Sequence, residues 1–149
     1  MKKFIILLIA IFLSAEDLHI ISKQFFYDSK TKISTFIGDV NATKGKDNVL
    51  SNKMKIYFDK NKKPIKYIAT GKVKFILSLD KNSTYKGHCN KLIYNFKTYN
   101  IFLIGNAYIK KLETNESVSG SFIKINRKTK DVEVRGGNKP ANIIIKVNE

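Results

Sequence analysis

Four times along this chain an aromatic or apolar residue and then Asp or Asn closes one strand-like run, a short polar turn follows, and a second run returns to a glycine. The copies are YDSKTKISTFIG (27–38), FDKNKKPIKYIATG (58–71), YNFKTYNIFLIG (94–105) and INRKTKDVEVRG (125–136). Their glycines, Gly38, Gly71, Gly105 and Gly136, stand 33, 34 and 31 residues apart. A hairpin cannot bury its apolar face alone, so hairpins recurring at near-constant spacing must stack and share one core. This pattern argues for an array of antiparallel hairpins and against a helical bundle or a parallel α/β sheet.

Within the copies the dominant period is two. In KMKIYFD, Met54, Ile56 and Phe58 fall on one face and Lys53, Lys55 and Tyr57 on the other. The same parity turns Phe36 and Val40 inward, and likewise Tyr67, Ala69, Val73, Phe75 and Leu77, Leu92, Tyr94 and Phe96, and Ile101, Leu103, Ala107 and Ile109. It also turns the repeated glycines inward, where they would curve the sheets or leave a slot unfilled. No stretch after residue 15 keeps a helical period. The expected fold is all-β: two curved antiparallel sheets in a sandwich of stacked hairpins, with the first and last strand-like runs, LHIIS (18–22) and NIIIKV (142–147), as candidate edges.

The amino terminus adds a destination. MKKFIILLIAIFLSA carries two lysines, an apolar core from Phe4 to Leu13, and the small residues Ser14 and Ala15. That is the pattern of a secretory signal peptide, and its core is well short of the roughly 20 residues that span a bilayer. The division expected is a leader at 1–15 and one domain at 16–149. Cys89 is the single cysteine, so an internal disulfide is excluded and a small buried hydrophobe is expected there.

With 28 Lys+Arg against 12 Asp+Glu, the formal net charge is +16. Such a field favours polyanions, and export argues for phosphorylated lipid over nucleic acid. Lysines that merely decorate the solvent faces of strands account for part of the excess.

Four segments then carry a family resemblance. LHIISK (18–23), FIGDV (36–40), YKGHCNKLIY (85–94) and IGNAYIKK (104–111) resemble, in order, the N-terminal strand, the first Gly-Asn-Val step, the Gly-His segment and the Gly-Asn-Ala-Tyr step of the periplasmic lipopolysaccharide transport protein A family (LptA, OstA-like). Asp39 and Lys72 depart from the family's asparagine step in the first two copies. The resemblance implies an open, twisted β-jellyroll in the periplasm that moves lipopolysaccharide from the inner to the outer membrane, acyl chains between the sheets and lipid A phosphates at the rim. By carry-over, Leu18, Ile20, Phe58 and Phe96 would face the groove, with Phe36, Ile56, Phe75 and Leu103 deeper. Partners implied in the same way are an LptC-like inner-membrane subunit, an LptD-like outer-membrane subunit, and further copies of the chain joined head to tail.

Enzyme chemistry finds no support. The sequence lacks a nucleophile elbow, a phosphate loop and a paired-carboxylate signature, and His19 and His88 have no acidic or cysteine partner at ligand spacing. A structural hydrogen-bonding role is expected for both, with no cofactor, no metal and no nucleic acid. Competing readings are a β-module that joins partners edge to edge without holding lipid, and an LptC-like subunit that keeps its N-terminal anchor. Three N-x-[ST] triplets, at Asn41, Asn82 and Asn115, each follow an acid by two positions and are candidate glycosylation acceptors.

Overall fold

A computed structural model describes residues 17–147; the expected leader at 1–15 lies outside them. Ten strands and no helix are present among the described residues. They are β1 (Leu18–Ile21), β2 (Gln24–Asp28), β3 (Ile33–Lys44), β4 (Asp47–Phe58), β5 (Pro64–Asp80), β6 (Ser83–Asn95), β7 (Asn100–Lys111), β8 (Ser117–Asn126), β9 (Val132–Arg135) and β10 (Asn142–Ile144). All belong to one antiparallel sheet in the order β1-β3-β4-β5-β6-β7-β8-β10, with β2 also on β3 and β9 also on β8.

The repeated Asp and Asn residues build the turns. Asp28 Oδ1 accepts the backbone N–H of Lys30 and Thr31, Asp59 Oδ1 those of Asn61 and Lys63, Asn95 Oδ1 those of Lys97 and Thr98, and Asn126 Oδ1 those of Lys128 and Thr129. A side-chain acceptor at the first turn position satisfies donors that the tight reversal would otherwise strand. Each turn also holds one residue at positive φ before the return strand: Lys32, Lys62, Tyr99 and Lys130.

The glycines build the bend. Gly38-Asp39, Gly71-Lys72 and Gly105-Asn106 adopt φ of 88° and 45°, 84° and 46°, and 80° and 47°. At each pair the strand carries one more residue than the neighbour it is laddered to, which makes a bulge. The bulges in β3, β5 and β7 lie side by side, so the whole sheet turns along one line. Strands β4 and β6 cross that line with Asn52-Lys53 and Asn90-Lys91, set between buried Ser51 and Met54 and between buried Cys89 and Leu92. The two-residue parity therefore slips in these strands, and Val49 joins the core although simple alternation from Met54 would not put it there.

The expected inward slot at the glycines is not present. A Cβ on Gly71 would lie 2.6 Å from Asn52 Nδ2, and one on Gly105 2.6 Å from Asn90 Nδ2. Both asparagines are exposed, so the glycines face the outside of the bend and the space above them is filled by an amide. Gly136 also departs from expectation, lying in the break between β9 and β10. Both edges are interrupted at the bend in this way, β1 from β2 by Ser22-Lys23 and β9 from β10 by residues 136–141.

The two halves of the bent sheet pack on each other. Met54, Ile56, Leu92, Leu103 and Ile123 on one side of the bend and Val40, Val49, Val73, Leu77 and Ile109 on the other belong to one buried cluster. A single sheet with no covering layer can bury one face this fully only by folding onto itself. Each such side chain contributes on the order of 1.5–3 kcal/mol by leaving water. Edge strands β1 and β2 do not pair with β9 and β10, so the structure is open, as the jellyroll expectation has it, with the two layers being halves of one sheet.

Candidate functional site

Where the halves diverge from their packed centre they leave a cavity of about 380 Å³. Its floor is apolar: Met54, Ile56 and Phe58 of β4 from one half, Ala42 and Val49 from the other, with Leu18 of β1 at the side. Tyr67, Tyr94 and Phe96 form one wall as an aromatic trio, with ring centroids 5.6 Å (Tyr67–Tyr94), 5.8 Å (Tyr67–Phe96) and 4.7 Å (Tyr94–Phe96) apart. Burial pushes the Tyr67 hydroxyl well above the ordinary phenol range and raises that of Tyr94 in the same direction.

Cations ring the mouth. Lys62 and Lys63, in the exposed β4–β5 turn, face Lys44 at the end of β3. Lys44 Nζ sits 5.8 Å from the centroid of Phe96, a contact that reaches from one half of the sheet to the other. Asp47 also lines the cavity, but its charge is already engaged: Oδ2 lies 2.7 Å from Arg127 Nη1 and Oδ1 accepts Ser78 N–H at 2.8 Å. Arg127 Nη2 donates to the Ser78 carbonyl at 2.9 Å, and the guanidinium stands 5.8 Å over the Tyr94 ring. Lys130 of the same turn pairs with Asp80 at 2.5 Å. These pairs clasp the β8–β9 turn of one half to β4 and β5 in the other, directly beside Lys44, the ladder partner of Asp47.

Of the residues expected at a groove, Leu18, Ile56, Phe58 and Phe96 line the cavity. Phe36, Phe75 and Leu103 lie in the closed core, and Ile20 packs against that core beside β3 without lining the cavity. Tyr67, Tyr94, Asp47, Arg127 and the three lysines were not assigned to a site from the sequence. Parity did place Tyr67 and Tyr94 inside, and Lys62 and Lys63 stand out in the run DKNKKP; the Asp47–Arg127 pair joins residues too far apart in the chain to leave a local signal. Cys89 is buried, and its burial pushes the thiol up to about 12. His88 Nδ1 lies 3.1 Å from the Asn106 carbonyl oxygen while its ring stacks on Tyr108, a structural setting on the outer face.

Residues 19–131 match the profile of the family described as LptA/(LptD N-terminal domain) LPS transport protein. The fold is similar to the crystal structure of LptH from Pseudomonas aeruginosa, described as the LptA homologous periplasmic component of the conserved lipopolysaccharide transport device. The two superpose with a TM-score of 0.78 at 15% identity, over 89% of this chain and 96% of that one. No curated protein sequence matches the chain significantly.

Proposed function

Because the chain belongs to the LptA/(LptD N-terminal domain) LPS transport protein family, we propose that it is a non-enzymatic periplasmic carrier that passes lipopolysaccharide from the inner toward the outer membrane. Acyl chains enter the apolar cavity between the halves of the sheet, and lipid A phosphates stay at the mouth against Lys44, Lys62 and Lys63. The observation that carries this reading is that pairing: an apolar floor and aromatic wall that suit hydrocarbon, under a rim of unburied point charges that suit phosphate. A volume of about 380 Å³ is near the lower end of ordinary ligand cavities, which run from roughly 300 to 1,000 Å³. It admits one part of a multi-chain lipid, and fuller entry requires the halves to part.

In this reading residues 1–15 are removed on export and residues 16–149 act as the carrier domain. Edge strands β1 and β10 offer unpaired backbone groups to a further copy or to LptC-like and LptD-like subunits, by strand addition. Purified protein incubated with radiolabelled lipopolysaccharide should co-elute with the label. Phe96→Asp should abolish co-elution, since an unpaired carboxylate among acyl chains carries a large desolvation cost. A wild-type protein that takes up no label would leave the edge-to-edge β-module as the better reading.

A further inference from the structure

The three N-x-[ST] triplets, DVNAT, DKNST and ETNES, each carry an acid two positions before the asparagine, at Asp39, Asp80 and Glu113. With 12 acidic residues in 149, one such coincidence is ordinary and three of three is not. The triplet with an acid at that position resembles the extended acceptor of bacterial oligosaccharyltransferases. Secondary structure separates the three. Asn41 lies inside β3, paired with Ile21 of β1 and Leu50 of β4, and its Oδ1 accepts a hydrogen bond from Asn48 Nδ2 at 2.7 Å. An enzyme could reach that amide only by pulling β3 out of two ladders.

Asn82 and Asn115 are in the opposite situation. Asn82 is exposed in the two-residue turn between β5 and β6, and Asn115 is exposed in the turn between β7 and β8 at φ 62°. Neither side-chain amide has a hydrogen-bond partner among the described residues. The two turns are neighbours: Thr84 N–H donates to Glu113 Oε1 at 2.9 Å, and Leu112 N–H to the Thr84 carbonyl at 2.9 Å. Neither asparagine lines the cavity.

We propose that Asn82 and Asn115 are N-glycosylation sites and that Asn41 is not. The co-substrate would be an oligosaccharide carried on a polyprenyl pyrophosphate, transferred by a separate membrane-bound enzyme. The asparagine amide nitrogen forms a bond to the sugar C1, the C1–O bond to pyrophosphate breaks, the amide gives up one proton, and the lipid pyrophosphate leaves. The inference depends on export and is independent of lipid carriage, so each can fail alone.

Intact-mass spectrometry of the full chain recovered from its own cell envelope tests it, with the Asn82→Gln/Asn115→Gln double variant as the unmodified reference. The expected wild-type mass exceeds that reference by two equal glycan increments beyond the substitutions themselves. One increment should disappear in each single Gln variant and both should remain in Asn41→Gln. Glu113→Gln, which keeps the Asn115 triplet and a side-chain acceptor for Thr84, should lose the same increment as Asn115→Gln. A wild-type mass without increments, an increment that survives the double variant, or one lost in Asn41→Gln would overturn the assignment.

Discussion

Gly105 and Gly71 are held by two demands at once, a backbone at φ near 80° and an asparagine amide occupying the place of a Cβ. Gly105→Ala should therefore cost about 1–3 kcal/mol in denaturant unfolding, combining left-handed strain with the clash. In an Asn90→Ala background the cost should shrink without vanishing, because the strain remains. At Lys72, φ is 46°, a conformation that asparagine tolerates better than lysine, so Lys72→Asn should stabilise by up to about 1 kcal/mol. Cys89 should resist thiol reagents at pH 8 in the folded protein and react on unfolding, since burial keeps the thiolate scarce. The glycine repeat was plain in the sequence; its direction was not. Alternation places Gly71 on the face of Ala69 and Val73, but two consecutive positive φ angles rotate it outward, and only the Asn-Lys pairs at 52–53 and 90–91 hint at what covers it.

The turns and ladders were the most legible elements, because an Asx turn is local chemistry and the hydrogen bonds it makes span two to four residues. The clasps between the halves were illegible for the converse reason: Asp47, Ser78 and Arg127 meet only after the sheet has folded over. Side-chain exposures of 23% for Arg127 and 17% for Asp47 make this pair more than a surface contact. Arg127→Ala should destabilise by on the order of 2 kcal/mol, leaving Asp47 without its countercharge. The second clasp supplies a pH dependence. The hydrogen bond from Lys130, with the Asn82 N–H, lowers the Asp80 carboxyl from 3.8 to about 2. A depressed carboxyl supports the fold above its ordinary value and loses that support as pH falls from about 4 toward about 2. Stability curves of the wild type and Asp80→Asn should converge over that interval, the wild type carrying the steeper acid limb.

At the scale of the molecule, one bent sheet held open at its mouth accounts for both the packed centre and the empty side. The sequence announced an all-β, stacked and open architecture, and half of the groove residues carried over from the family resemblance do line the cavity. It could not announce which apolar residues the fold would close off: Ile56, Phe75 and Leu103 are all buried in one cluster, yet of the three only Ile56 also lines the cavity. The central claim is that lipid enters between the halves and does not settle on their outer faces. Placing a photo-crosslinking residue at Phe96, on the cavity wall, and another at Lys55, which faces away from buried Met54 and Ile56, tests this in one experiment. Irradiation with lipopolysaccharide should give a lipid adduct at position 96 and none at position 55; equal labelling at both, or labelling at position 55 alone, would contradict the account.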